Sequence, residues 1–105
     1  MIQKISEVHQ LNQIIQTNSS TLVMFTASWC GPCKIIKPII YIHSDDAKYS
    51  KIAFVEVDID YSDELQAKYD IKSLPTFIML VDGIERERIT GVQQDKIKML
   101  LNAQI

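Results

Sequence analysis

Cys30-Gly31-Pro32-Cys33 joins two different kinds of regular segment. Before it, Thr21 to Ala27 is a mostly apolar run with strand character. After it, Ile35, Ile36, Ile39, Ile40 and Ile42 read as a helix with a broad inward apolar face. A strand that passes directly into a helix confines the chain to a βα architecture. A strand this apolar belongs at the centre of a sheet covered on both faces. The chain has 2 cysteines, three positions apart at that junction. A thiol pair so placed has the arrangement that thiol–disulfide exchange needs.

The rest of the sequence supplies neighbours for this unit. Met1 to Ile5 reads as a short edge strand. Ser6 is placed to cap a helix with Val8, Leu11, Ile14 and Ile15 on one face. Ile52 to Val57 is a second buried strand, and Ser62-Asp63-Glu64 opens a short helix through Tyr69, with acids at its positive end. Thr76 to Val81 and Glu85 to Thr90 flank Asp82-Gly83, a two-residue hairpin signal. Asp95 to Ala103 closes the chain as an amphipathic helix. The order β-α-β-α-β-α-β-β-α implies parallel crossovers first and an antiparallel hairpin last, hence a mixed α/β sheet. Pro38 lies inside the second helix and is expected to kink it.

With 105 residues, 47% hydrophobic and 23% charged, the chain reads as one domain over 1–105 with a single packed core. A formal net charge of −2 gives no basis for nucleic-acid binding or for an anionic membrane surface. Apolar stretches such as Phe77 to Val81 are too short to span a bilayer. The N-terminus turns polar at Gln3 and Lys4, before a signal-peptide core could form, so the expected location is cytoplasmic. A structural disulfide is not expected to persist there.

The CxxC spacing carries chemistry for physical reasons. Its first cysteine falls at a helix N-terminus, where unpaired N–H groups and the macrodipole favour negative charge. Cys30 is therefore the expected nucleophile, and Cys33, a turn deeper, the resolving thiol. Gly31 lets a substrate backbone approach, and Pro32 fits the first helical turn and restrains the loop. Three other readings compete. Closing so small a loop as a structural disulfide removes only about 2 kcal/mol of unfolded-state entropy. A zinc site needs four ligands, and His9 and His43 stand alone, so no metal is expected. Two inert core cysteines are the third.

The sequence resembles the thioredoxin family. Trp29-Cys30-Gly31-Pro32-Cys33-Lys34 looks like its active-site motif. Pro38, Phe54 to Asp60, Ile71-Lys72-Ser73-Leu74-Pro75-Thr76-Phe77, Asp82-Gly83 and Gly91 follow in register. The resemblance covers nearly the whole chain and is nearest to stand-alone, single-domain members. It implies a thioredoxin fold, a central five-stranded mixed sheet flanked by four helices, with a cis bond before Pro75. It also implies that Leu74 offers its backbone to an extended substrate, with Trp29, Pro75, Thr90, Gly91 and Val92 completing a shallow groove. Asp60 would accept a hydrogen bond from the Trp29 indole.

The implied activity is reduction of protein disulfides by a monomer with no tightly bound cofactor. Electrons would come from NADPH through a thioredoxin reductase. Alternatives are a disulfide oxidase or isomerase, or a non-catalytic binding subunit on the same fold. One departure stands out. Where much of the family has a buried aspartate, six residues before the first cysteine, this chain has Met24, which can only pack. Thr26 takes a place often held by an aromatic residue. Glu56, on the neighbouring strand, is the candidate substitute acid.

Overall fold

The computed structural model describes residues 1–105. Five strands, β1 (Ile2–Ile5), β2 (Ser20–Thr26), β3 (Ile52–Asp58), β4 (Thr76–Val81) and β5 (Ile84–Thr90), form one sheet in the order β1-β3-β2-β4-β5. β3 pairs in parallel with both β1 and β2, whereas β2–β4 and β4–β5 are antiparallel. Four helices cover it: α1 (Val8–Thr17), α2 (Gly31–Asp45), α3 (Asp63–Lys68) and α4 (Gln94–Asn102). This is the expected five-stranded mixed sheet with four helices. All seven residues of β2 are buried, as its composition requires of a central strand.

The two-residue period of the strands divides the core in two. Leu22, Met24, Phe54, Phe77 and Met79 meet Ile36 and Ile40 of α2 and Ile97 and Leu101 of α4. Val23, Phe25, Val55, Val57, Ile78 and Leu80 point the other way, against Leu11 and Ile14 of α1 and Leu65 of α3. Both outer strands are short or solvent-facing, and β5 buries only Ile89. The hairpin falls at Asp82-Gly83, with φ of 52° and 80°. Two consecutive left-handed residues are what a tight turn matched to strand twist demands.

Two local expectations are corrected. Ser6 does not cap α1. Glu7 is the capping residue, and the Gln10 side chain reaches back to accept from the Ser6 and Glu7 N–H groups at 3.0 Å each. Short 3₁₀ turns, Ala47–Tyr49 and Ile59–Tyr61, precede and follow β3. Asp46 and Asp58 organise them by accepting from the N–H two residues on, at 2.9 Å in both cases. Finally, α2 does not bury all its isoleucines. With 3.6 residues per turn, Cys33, Ile36, Ile40 and Ser44 face the sheet, and Ile35 and Ile42 come out on the opposite side, 61% and 69% exposed.

Candidate active site

β2 delivers the chain to the start of α2, and the four-residue link from Ala27 places Cys30 as the helix N-cap. Its Sγ accepts the Cys33 N–H at 3.2 Å, and its carbonyl accepts the Lys34 N–H at 3.4 Å. The sulfur thus satisfies a first-turn donor that has no partner within the helix. Pro32, lacking an N–H, sits where such a donor would be wasted. The cysteines are joined as a disulfide, with Cα atoms 5.3 Å apart. Cys33 is fully buried and Cys30 only 5% exposed, both packed against Ala27.

A cavity of about 570 Å³ opens beside the sulfurs. Trp29, Cys30, Gly31 and Pro32 form one wall; Ile59, Gln66, Ile71 and the segment Lys72-Ser73-Leu74 form the other. Trp29 is 65% exposed, yet its Nε1 donates to Asp60 Oδ2 at 2.8 Å, which holds the ring in place in the cavity wall. The Leu74–Pro75 peptide is cis. Thr76 Oγ1 donates to Ser73 O at 2.7 Å, and Gly91 N–H to Pro75 O at 2.9 Å, tying this loop to the end of β5. Thr90 is the sheet partner of Thr76, and Gly91 has φ of 84°. Thr90, Gly91 and Val92 therefore stand beside Pro75, outside the cavity walls. The opposite wall from Ile59 to Ser73 went unread in the sequence, because residues far apart in the chain form it.

Glu56 lies on the α2 side of the sheet, only 6% exposed, directly beside Met24 in the β2–β3 register. Its carboxylate accepts from Tyr41 Oη at 2.5 Å and lies 3.7 Å from Lys37 Nζ. Burial and then this bond raise the Tyr41 pKa to about 12. Cys33, Lys37 and Tyr41 are spaced four residues apart, so one flank of α2 carries the buried thiol, the cation and the phenol. That spacing was the available signal for Tyr41, which sequence reasoning passed over. Met24 is wholly enclosed among Leu22, Phe54 and Phe77. No group of three or more His, Cys, Asp or Glu side chains converges anywhere.

The family model described as Thioredoxin matches residues 3–103. The chain belongs to the thioredoxin family. It is 40% identical over 93 residues to the thioredoxin of Mycoplasmoides gallisepticum, covering 88% of this chain and 91% of that protein. It is 36% identical over 87 residues to thioredoxin H2 of Arabidopsis thaliana, covering 83% of this chain and 64% of the plant protein. A solved structure of Plasmodium falciparum thioredoxin superposes with a TM-score of 0.91 at 31% identity, covering 98% of this chain and 99% of that one. With its cysteine pair joined at the head of α2, this thioredoxin-family chain is a thiol–disulfide oxidoreductase with a Cys-Gly-Pro-Cys redox centre. The exchange runs on the two sulfurs and needs no tightly bound cofactor. No helix is long and apolar enough to cross a membrane.

Proposed function

We propose that the whole chain, 1–105, works as one monomeric cytoplasmic domain that reduces disulfides in other proteins, with Cys30 as nucleophile and Cys33 as resolving thiol. The observation that carries this assignment is the Cys33 N–H donating to Cys30 Sγ at the N-terminus of a 15-residue helix. Those donors and the helix dipole stabilise a thiolate on Cys30 and do nothing comparable for Cys33. The reduced Cys30 thiolate attacks one sulfur of the substrate disulfide. That bond breaks, one substrate thiolate leaves, and a mixed disulfide forms. Cys33 then loses its proton and attacks Cys30 Sγ, so the second substrate thiolate leaves and Cys30–Cys33 is oxidised. Two electrons pass to the substrate, and NADPH restores them through a thioredoxin reductase. In the cell this amounts to electron transport for redox homeostasis.

Gly31 and Pro32 keep the approach to Cys30 open and set the spacing of the sulfurs. Trp29, Leu74 and Pro75 position an extended substrate segment, with Thr90, Gly91 and Val92 bordering it. Support comes from the exposed Trp29 ring held by Asp60 and from the Gly91-to-Pro75 hydrogen bond. Glu56, which lies beside Met24 and also lines a solvent crevice of about 520 Å³ with Lys37 and Asp58, receives the Cys33 proton in place of the aspartate that Met24 has displaced. Release from the mixed disulfide is then slower than in relatives with that aspartate, and Glu56→Gln slows it further.

The test is NADPH consumption with a thioredoxin reductase and insulin. Wild type turns over. Cys33→Ser accumulates a mixed disulfide, and Cys30→Ser is inert. Turnover surviving in Cys30→Ser, or a trap formed by Cys30→Ser instead, would contradict the assignment.

A further inference from the structure

The solvent face of α2 has no counterpart on the other helices. On α1 the exposed residues are His9, Asn12, Gln13, Gln16 and Thr17, and on α4 only Met99 interrupts a polar set. On α2, Gly31, Ile35, Pro38 and Ile42 follow one another at spacings of four, three and four. They form an exposed apolar stripe about 16 Å long at 1.5 Å per residue. Nothing in the helix itself explains the isoleucines. A β-branched residue on an exposed helical face is a poorer helix former than Lys, Glu or Gln. Ile35 and Ile42 also leave most of their side chains in water. Contiguous exposed apolar surface of this kind marks an interaction site.

The stripe begins at the redox centre. Gly31 and Pro32 line the cavity beside the sulfurs, and Ile35 lies one turn further along the same helix. A protein whose disulfide reaches Cys30 must therefore cross this end of α2. We propose that the stripe formed by Ile35, Pro38 and Ile42 docks an apolar segment of the disulfide-bearing protein, extending its contact beyond the cavity wall. This rests on the reductase reading and adds a determinant of substrate choice to it. Proteins with an apolar ridge beside their disulfide are favoured, and small disulfides gain nothing. Because the stripe touches the partner equally before and during exchange, it acts on KM and leaves kcat alone.

The experiment compares wild type, Ile35→Gln/Ile42→Gln and Ile35→Val/Ile42→Val. Each is assayed with insulin, using NADPH and a thioredoxin reductase held in excess. Each is also assayed, after reduction, with 5,5′-dithiobis(2-nitrobenzoate). The glutamine pair is expected to raise the insulin KM about tenfold at unchanged kcat, the size of effect that losing one well-buried apolar contact produces. Its rate with the small disulfide stays within about twofold, and the valine pair behaves as wild type. An unchanged insulin KM overturns the proposal. So does a wild-type dimer in sedimentation that the glutamine pair dissociates, because the stripe would then serve a second copy. Failure of the reductase reading itself looks different: wild type would then support no NADPH-dependent insulin reduction, whatever its reaction with the small disulfide.

Discussion

Met24→Asp restores the acid found in much of the family, and the structure says it will not be accepted quietly. The side chain lost is completely buried, so its removal costs about 2–5 kcal/mol in transfer and cavity terms. The side chain gained sits beside Glu56, its register partner on a strand roughly 5 Å away. Two carboxylates at that distance repel by about 3 kcal/mol at an effective dielectric near 20. Together these approach the whole stability of a small domain, roughly 5–15 kcal/mol. The introduced carboxyl, fully buried and next to Glu56, has its pKa raised above the unfolded value of about 4. Its contribution to folding is therefore fully present below about pH 4 and is lost as pH rises through the folded value. The deficit against wild type is expected to grow between pH 4 and pH 7. Urea unfolding of Met24→Asp, Glu56→Gln and the double variant measures the coupling directly. A value of about 2–3 kcal/mol is expected, because Glu56→Gln removes the repelling charge. Coupling below about 0.5 kcal/mol would refute the repulsion between the two carboxyls, and a deficit independent of pH would show that the new carboxyl is not buried.

Three further substitutions test other local features of the fold. Gly83→Ala is expected to cost about 1–2 kcal/mol by urea unfolding, since φ is 80° and the new Cβ would lie 2.9 Å from Ile15 Cγ2. Thr26→Val is expected to be neutral or to stabilise by up to about 1 kcal/mol, because the Thr26 hydroxyl is buried with no hydrogen-bond partner; a loss beyond that would mean the hydroxyl is bonded. Tyr41→Phe deletes the donor to a buried carboxylate, an expected loss of about 1.5–3 kcal/mol at pH 7. Because the Tyr41 pKa is raised to about 12, its share of stability is complete below pH 10 and falls away between 10 and 12. The difference between wild type and Tyr41→Phe should shrink over that interval.

Much of this architecture was legible because local and global signals agree. Thr21 to Ala27 is apolar at every position but Thr21 and Thr26, and its strand proved central and buried. Asp82-Gly83 carries the residues a tight hairpin needs, and both adopt positive φ. The thiol pair, Trp29 and the Leu74-Pro75 bond were readable as short contiguous motifs. What escaped depends on contacts between distant segments or on helix phase. The Tyr41–Glu56–Lys37 cluster joins α2 to β3; the four-residue spacing of Cys33, Lys37 and Tyr41 marks one helix flank, but only the fold brings that flank to Glu56. Ile35 and Ile42 look like core from composition, yet their phase relative to Cys33 and Ile36 turns them outward. The cavity wall from Ile59 to Ser73 exists only once the chain has folded. Ser6 lost the capping role because the helix begins one residue later, with Glu7 as its cap and Gln10 reaching back to the Ser6 and Glu7 amides.

The account depends on the start of α2 holding charge on Cys30 and not on Cys33. Rates of iodoacetamide alkylation, followed against pH on the reduced protein with each site resolved by mass, test this directly. Cys30 is expected to react first, with a midpoint below the ordinary cysteine value of about 8.5, while buried Cys33 stays unmodified until the protein is unfolded. Equal labelling of both thiols along one curve centred near 8.5 would contradict it.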